Sequence, residues 1–292
     1  MKITLFLMTY KGFAVLQSLV KKSRYKSIEK VIIGIDKNVI NDYSQDIIKI
    51  CNDYNIEYKL YNENYIINTN YGIAVSWRWI IDTSKIKLII LHDSILPKYR
   101  GFSPLVSMLI NGENKIGVSA IFATNEFDKG AIIYQKTIKI EYPIKINQAI
   151  EKIGNLYVEI IEQLVDDISK AKKLKLIDQD ESRATYSLWR DTDDYFIDWN
   201  MSSNEIKRFV DAVGYPYDGA KSKINNNIVR INEIELYKNL VIENRTVGKI
   251  LFFENEFPIV VCGEGLIIIK DAVYADNNQS ILPLNKFRIR FL

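Results

Sequence analysis

The stretch Ile-Leu-His-Asp-Ser-Ile-Leu-Pro-Lys-Tyr-Arg-Gly-Phe-Ser-Pro, residues 90 to 104, holds His92, the only histidine of the 292-residue chain. An apolar run over residues 88 to 91 leads into it, and polar residues then crowd together. In sheets of buried parallel strands, ligands bind where strands end, which is where this stretch lies. Because imidazole exchanges protons near neutral pH, ordinary histidine chemistry in this protein is confined to this loop.

On the N-terminal side of the loop, short apolar runs alternate with helical patterns. The predicted strands cover residues 3–8, 31–35, 57–60, 73–75 and 88–91, and the predicted helices cover residues 13–19 and 43–54. Buried strands that alternate with helices predict an α/β fold with a Rossmann-like, mainly parallel sheet. Neither GxGxxG nor GxxxxGK[ST] occurs, so no dinucleotide or nucleoside-triphosphate phosphate loop is indicated.

On the C-terminal side, strand patterns at 117–123 and 131–140 precede a long amphipathic helix at 146–164. From about residue 215 the pattern changes to short β-rich runs separated by turn residues. We therefore predict an α/β domain over residues 1–200. A small β-rich C-terminal domain over residues 201–292, with one helix followed by a β-barrel-like part, completes the prediction.

Composition limits the classes of partner. The chain has 39 basic and 36 acidic residues, and the net charge of +3 is too small to predict nucleic-acid or membrane binding. Cys51 and Cys262 form no metal-spaced pattern, which is typical of a reduced cytosolic protein with two structural thiols. No apolar run reaches the roughly 18 residues needed to span a bilayer, so a soluble cytoplasmic chain is expected.

Two residues are candidates for chemistry. A lone histidine is more often structural than catalytic, yet His92 stands among polar residues where a strand ends, unlike a core histidine. Asp128 lies in the turn between two predicted strands, and Gly130 permits a close backbone approach there. An aspartate in a turn is usually a turn former. The hypothesis that Asp128 is functional therefore depends on its pairing with His92.

Several motifs in a fixed order carry a family resemblance. Residues 92 to 101 read His-Asp-Ser-Ile-Leu-Pro-Lys-Tyr-Arg-Gly, and Asp128-Lys-Gly130 begins 36 residues after His92. These segments resemble the Asn-x-His-x-Ser-Leu-Leu-Pro-(Lys/Arg)-Tyr-Arg-Gly and Asp-x-Gly signatures of the 10-formyltetrahydrofolate-dependent formyltransferases. Residues 76–81, 197–199 and 216–220 are similar to further segments of that family, so the resemblance runs over nearly the whole chain.

The resemblance implies roles for particular residues. His92 and Asp128 would be catalytic, and the loop that holds the pterin ring of the folate would comprise Ser76, Trp77, Arg78, Trp79 and Ile80. The acceptor would be bound by Tyr10, Lys11, Asp93 and Trp199. Within that set, Lys11 is expected to pair with a diphosphate or to be merely solvated. Trp199 is expected either to line the acceptor entrance or to pack in the core.

One position departs from the family pattern. The family has a catalytic asparagine two residues before the histidine, and Ile90 stands there in this chain. In the implied reaction an amine attacks the formyl carbon, and His92, oriented by Asp128, stabilises the negative oxygen or carries the amine's proton. Isoleucine cannot donate the missing hydrogen bond, which elsewhere is worth roughly 10²- to 10³-fold in rate. Asp93 and Asn125 are candidate substitutes, and surface or turn roles are the alternative for both.

The resemblance implies an N-formyltransferase that passes a formyl group from its co-substrate, 10-formyltetrahydrofolate, to a nucleotide-linked amino sugar used in polysaccharide biosynthesis. The nearest alternative is a methionyl-tRNA formyltransferase, which would need a basic cleft. Ile90 also motivates a non-catalytic member that binds folate or sugar nucleotide, and another acyl donor or hydrolysis of formylfolate stays open. The expected partner is a small-molecule substrate, without nucleic acid, membrane or metal, and a homodimer is a further hypothesis.

Overall fold

The computed structural model of the protein describes residues 2–284 and 286–292. The chain forms two compact units. The first contains the residues up to Leu105 together with Asn114–Ile140 and Gln148–Leu188. The second contains Val106–Glu113, Glu141–Asn147 and Trp189–Leu292. Two short segments from the first half of the chain thus pack with the C-terminal part, and the domain boundary at residue 200 stays a prediction.

Nine strands lie in the described residues of the first unit. They are β1 (Ile3–Leu7), β2 (Ile28–Ile33), β3 (Glu57–Leu60), β4 (Tyr71–Val75), β5 (Lys87–His92), β6 (Arg100–Gly101), β7 (Lys115–Phe122), β8 (Ile132–Lys139) and β9 (Tyr186–Ser187). Seven form one sheet in the order β3-β2-β1-β4-β5-β7-β8, and β6 pairs separately with β9. The pairs among β1 to β5 are parallel, whereas β5–β7 and β7–β8 are antiparallel. The predicted mainly parallel sheet is confirmed.

The helices are α1 (Thr9–Lys21), α2 (Ser44–Asp53), α3 (Pro104–Ile110), α4 (Ile146–Ser169) and α5 (Ser203–Val213), with 3-10 turns at Arg24–Ser27, Glu181–Arg183 and Asp193–Tyr195. Polar contacts join α1 and its following turn to α4. Ser18 Oγ donates to Glu162, and Arg24 donates from Nε and Nη2 to the two carboxylate oxygens of Asp166, both at 2.7 Å. These contacts fix α4 beside α1 on one face of the sheet.

The side chains of strand β5 alternate between the two faces of the sheet. Residues two apart in a strand point to the same face, so Ile90 and His92 share a face and Leu91 points to the other. On the Ile90 face, a buried cluster comprises Phe6, Ile32, Ala74, Ile81 and Leu88. Tyr65 and Ile67, from the connection before β4, pack against this cluster. Part of this face is therefore covered by an irregular segment rather than by a helix.

The second unit contains α5 and an antiparallel sheet. Its strands are β10 (Ala220–Ile224), β11 (Asn227–Tyr237), β12 (Ile250–Glu254), β13 (Phe257–Val261) and β14 (Leu266–Tyr274), in the order β10-β11-β14-β13-β12. Residues 290–292 bond to both edges of this sheet, because Phe291 bridges Ile224 and Arg290 bridges Lys249. The predicted β-rich C-terminal domain is confirmed, and its two edges are joined through these last residues.

No helix in the described part of the chain is long and apolar enough to cross a membrane. The two cysteines are free and buried, Cys51 in the first unit and Cys262 in the second. Burial raises the pKa of each thiol to about 12. Both therefore carry little of the thiolate that reacts and binds metals.

This burial predicts slow thiol labelling. At pH 8 a pKa of about 12 lowers the thiolate fraction roughly 10³-fold below that of an ordinary cysteine. We expect Ellman's reagent to label neither cysteine of the native protein on the timescale of minutes. The same reagent should titrate both in guanidinium chloride. Stoichiometric labelling within the first minute under native conditions would contradict the burial of these thiols.

Candidate active site

His92 ends β5 at the carboxyl edge of the parallel strands. Its residue is 7% exposed, and its Nε2 lies 2.8 Å from the carbonyl oxygen of Tyr99. A carbonyl oxygen only accepts, so Nε2 carries a hydrogen in this arrangement. The other ring nitrogen, Nδ1, lies 3.6 Å from Oδ2 of Asp128. The two residues that the sequence predicted as a pair are thus brought together.

Asp128 is held by the backbone around it. The same Oδ2 accepts a hydrogen bond of 2.8 Å from the N–H of Gly101, and Asp128 itself has φ of 54°, in the left-handed region. Gly130 follows, and a Cβ there would stand 1.7 Å from the carbonyl oxygen of Phe122. The close backbone approach expected at Gly130 is therefore required. A tight turn fixes the carboxylate opposite His92.

A buried arginine reinforces this turn. The Arg100 side chain is fully buried and donates from Nε and Nη2 to Oε1 of Gln179, at 3.1 and 2.8 Å. It also donates to both carboxylate oxygens of Glu181, at 2.9 and 2.6 Å. The amide of Gln179 in turn donates to the carbonyl oxygens of Asp128 and Gly130, at 2.7 and 2.8 Å. Gln179 thus connects the signature arginine to the turn of Asp128.

Asp93 directly follows His92, and its side chain leaves the chain on the opposite side from that of His92. One of its carboxylate oxygens pairs with the ammonium of Lys11, from the first turn of α1. The other accepts from the hydroxyl of Tyr157 on α4, which also lies 2.9 Å from the carbonyl oxygen of Leu91. Lys11 Nζ is 5.6 Å from the centre of the Tyr157 ring. Lys11 and Asp93, predicted as separate acceptor contacts, bind each other.

The phenol of Tyr157 is affected by the charges of both Asp93 and Asp128. Burial, then the charge of Asp93 and its hydrogen bond, and finally the charge of Asp128, raise the pKa of the Tyr157 phenol well above its usual value. The phenol therefore stays protonated and donates. The sequence presented Tyr157 only as one position on the apolar stripe of α4, so its role was missed.

Ile90 has apolar neighbours. It is half-buried, pairs with Ala74 of β4 and Ile121 of β7, and packs against a cluster that includes Leu96 and Ile132. Asn125, a candidate substitute for the missing asparagine, is exposed. The carboxylate of Asp93, the other candidate substitute, is engaged by Lys11 and Tyr157.

The predicted pterin loop carries unsatisfied polar atoms. Ser76 has φ of 55° and follows β4 directly. Within residues 2–284 and 286–292, Ser76 Oγ, Trp77 Nε1 and Thr9 Oγ1 are buried and have no hydrogen-bond partner. Thr9 follows the neighbouring parallel strand β1, at the same sheet edge. A buried polar group without a partner costs roughly 1 to 3 kcal/mol, so these atoms are candidates for contacts with a ligand.

The rest of this loop is anchored to the sheet. Trp77 makes an edge contact with Phe6, with ring centres 5.3 Å apart, and Trp79 stacks on Tyr61 at 3.8 Å. Arg78 pairs with Asp36, whose residue is 5% exposed. Ile80 is 95% exposed. Asp36 and Tyr61 lie far from the loop in sequence, and no local pattern predicted their contacts with it.

Two family models match the chain. Residues 34–161 match the model described as "Formyl transferase", and residues 190–281 match "Formyl transferase, C-terminal domain". The chain belongs to the formyl transferase family. The order of the two matched regions is that of the two sheets. The resemblance that the sequence motifs indicated is thereby confirmed.

Relatives within the formyl transferase family include a methionyl-tRNA formyltransferase and a sugar 3N-formyl transferase. A methionyl-tRNA formyltransferase from Fusobacterium nucleatum is 28% identical over 201 residues, which is 68% of this chain and 64% of that protein. The solved structure of WlaRD, a sugar 3N-formyl transferase, is 21% identical, with a TM-score of 0.69 and coverage of 98% of both chains. The N-formyltransferase of Helicobacter canadensis is 18% identical, with a TM-score of 0.70, covering 92% of this chain and 98% of that one.

Two other residues predicted to bind the acceptor are placed as follows. Tyr10 lies in α1, its ring packs against Gly154 of α4 and contacts Tyr43 at 5.5 Å, and burial and the charge of Glu151 raise its pKa. Trp199 belongs to the second unit, is buried, and donates from Nε1 to Ser222 at 3.1 Å. These are the contacts of packing residues, and acceptor binding by either stays a prediction.

Within the described ranges, no group of three or more histidine, cysteine, aspartate or glutamate side chains is arranged to hold an ion. The acidic side chains nearest His92 instead bind Gly101, Lys11 and Tyr157.

Proposed function

We propose that this protein transfers a formyl group from 10-formyltetrahydrofolate to the amine of a nucleotide-linked amino sugar. The observation that carries the proposal is the pairing of His92 with Asp128 at the carboxyl edge of the parallel strands, within 3.6 Å of each other. Bond formation between the amine nitrogen and the formyl carbon removes one proton from the amine, and cleavage of the bond to N10 requires one proton at N10. His92 is the group suited to take the proton from the amine and return it to N10 near neutral pH.

The hydrogen bonds of the imidazole assign the proton to one nitrogen. Nε2 keeps its hydrogen because it donates to the carbonyl of Tyr99. Nδ1 is therefore the atom that takes up a proton, and the imidazolium then faces the Asp128 carboxylate. At 3.6 Å the Nδ1 to Oδ2 separation is longer than a hydrogen bond, so Nδ1 is not closed off in the free protein.

The loop of residues 76–80 supports folate as the co-substrate. Ser76 and Trp77 offer buried hydrogen-bonding atoms without protein partners. The same loop carries the rings of Trp77 and Trp79, which contact each other. A heteroaromatic ring system with polar edges fits such a mixture of donors and aromatic surface. The anchoring of Arg78 on Asp36 leaves the loop backbone to hold the ligand.

The choice of an amino sugar over tRNA has specific support. Similarity to sugar N-formyltransferases extends over 98% of both chains for WlaRD, described in the presence of dTDP and a formylated folate. Sequence identity to a methionyl-tRNA formyltransferase covers 64% of that protein, which keeps transfer to methionyl-tRNA as the second candidate. With 39 basic and 36 acidic residues, this chain has no large excess of positive charge for RNA.

The deciding experiment is a formyl-transfer assay. The purified protein is incubated with 10-formyltetrahydrofolate and a panel of dTDP-, UDP- and GDP-linked amino sugars, with methionyl-tRNA in parallel. We expect turnover with at least one amino sugar and none with methionyl-tRNA at physiological salt. Turnover with methionyl-tRNA alone would select the second candidate. Tight ligand binding without turnover on any acceptor would instead identify a binding protein.

Replacing Ile90 with asparagine tests whether an amide at this position increases the rate of transfer. Because Ile90 packs against apolar side chains of β7 and its surroundings, we expect Ile90→Asn to lower the free energy of unfolding by about 1 to 3 kcal/mol. We expect kcat for the preferred amino sugar to change by less than about tenfold. Ile90→Val is the matched control for packing alone. A gain of about 10²-fold would mean that the site lacks only this one donor.

A further inference from the structure

Gln179 lies in the segment between α4 and β9, which none of the sequence motifs covers. On one side of it, Ile177 forms two backbone hydrogen bonds with Ile132, at 2.8 and 2.9 Å. On the other side, β9 pairs with β6. Because the segment is anchored at both ends beside the turn of Asp128, its backbone carries the Gln179 side chain to that turn.

The orientation of the Gln179 amide follows from the groups on its two sides. Arg100 is fully buried and can only donate, so the amide oxygen Oε1 faces its Nε and Nη2 atoms. The carbonyl oxygens of Asp128 and Gly130 can only accept, so the amide nitrogen faces them. Both carboxylate oxygens of Glu181 hold the guanidinium in place. The amide, which both donates and accepts, therefore joins a fixed donor to the two acceptors of the turn.

We propose that Gln179 is a positioning residue that keeps the Asp128 carboxylate turned toward His92. Asp128 has φ of 54°, a left-handed conformation that persists only where the surroundings enforce it. The two bonds from Gln179 hold the carbonyl groups on both sides of Lys129 and so enforce that conformation. Without them the Asp128 backbone is free to return to a negative φ, which moves its carboxylate away from His92 and from the N–H of Gly101.

The N–H of Gly101 reports the position of the Asp128 carboxylate, to which it donates at 2.8 Å. Arg-Gly occurs once in the chain, so labelling with carbonyl-¹³C arginine and ¹⁵N glycine isolates the Gly101 amide signal in NMR spectra of the ligand-free protein. A charge-assisted hydrogen bond to a carboxylate is strong and moves the amide proton downfield. We expect this proton to move upfield in Gln179→Glu, which keeps an acceptor for Arg100 but has no donor for the turn. The same shift is expected in Gln179→Met, which has neither.

The kinetic test of the two variants rests on the proposed formyl transfer. Because a misplacement of about 1 Å can cost about 10²-fold in rate, kcat should fall by about 10- to 100-fold. The KM values for 10-formyltetrahydrofolate and the amino sugar should stay within about threefold, since the substrates bind through other groups. Gln279→Glu, at an exposed position of the second unit, is the matched control for the added charge. It should change neither kcat nor the Gly101 signal.

The NMR measurement and the transfer assay fail independently. If the Gly101 proton moves upfield while no acceptor is formylated, the proposed function is wrong and the effect of Gln179 on Asp128 stands. An unchanged Gly101 signal in both variants, or a kcat within about twofold of the parent where transfer occurs, would overturn the role of Gln179. Where one variant does not fold, the other provides both measurements. If neither folds, Gln179 is needed for folding rather than for positioning, and the proposal is wrong.

Discussion

Replacing His92 with asparagine is expected to lower kcat for formyl transfer by about 10²- to 10⁴-fold, the usual contribution of a general acid or base. The amide of asparagine lies at about the position of Nδ1, where it cannot take up a proton, and it is too short to replace Nε2 at the carbonyl of Tyr99. The chain has no second histidine to assume the role. The measurement is steady-state kinetics with the preferred amino sugar at saturating 10-formyltetrahydrofolate.

The same variant should bind folate as the parent does, because the loop of residues 76–80 follows a different strand, β4. Folate binding is followed by quenching of tryptophan fluorescence, and Trp77 and Trp79 lie in that loop. If His92→Asn retained turnover within about threefold, the proton-transfer role of His92 would be wrong.

Substituting alanine for Gly130 is expected to have the second large effect, this time on stability. An added Cβ would stand 1.7 Å from the carbonyl oxygen of Phe122, an approach that only a backbone shift relieves. We expect a loss of about 3 kcal/mol in the free energy of unfolding, typical of severe overpacking. The shift also moves Asp128, two residues earlier, so kcat should fall more than tenfold even in the folded fraction. Urea unfolding followed by circular dichroism checks the first expectation.

Gly214→Ala is the matched control. A Cβ at Gly214 meets its nearest neighbour, the carbonyl oxygen of Val210, at 3.4 Å, which is an ordinary contact. This variant should unfold within about 1 kcal/mol of the parent and keep its activity. Equal stability of Gly130→Ala and the parent would mean that the turn of Asp128 is less constrained than its geometry indicates.

The parts of the fold that the sequence predicted are those with a local signal. The apolar run before His92 predicted β5, and the period of the apolar residues predicted α4, because burial imposes a pattern on neighbouring positions. The His92–Asp128 pair was reached through motif order as well, since a residue at the end of one strand and a residue in a distant turn have no periodic relation. Their observed distance confirms that the motifs belong to one place.

The missed contacts join elements that are distant in sequence. Asp36 holds Arg78, Lys11 holds Asp93, and Gln179 holds the turn of Asp128. Each of these contacts depends on the tertiary packing of the side chains. Neither the residue types nor their spacing in the sequence predicts it. The sequence indicated no role in the site for Tyr157 for another reason. Its ring fills an apolar position of α4, and only its hydroxyl reaches Asp93.

The unpaired polar atoms of Thr9, Ser76 and Trp77 have a practical consequence. The free protein keeps these groups out of water without compensation, so a ligand that supplies their partners also raises the melting temperature by mass action. Thermal-shift screening can therefore rank folates, nucleotides and unrelated heterocycles before any reaction is assayed. The rise in melting temperature that a candidate ligand causes then measures how well that ligand supplies partners to these three atoms.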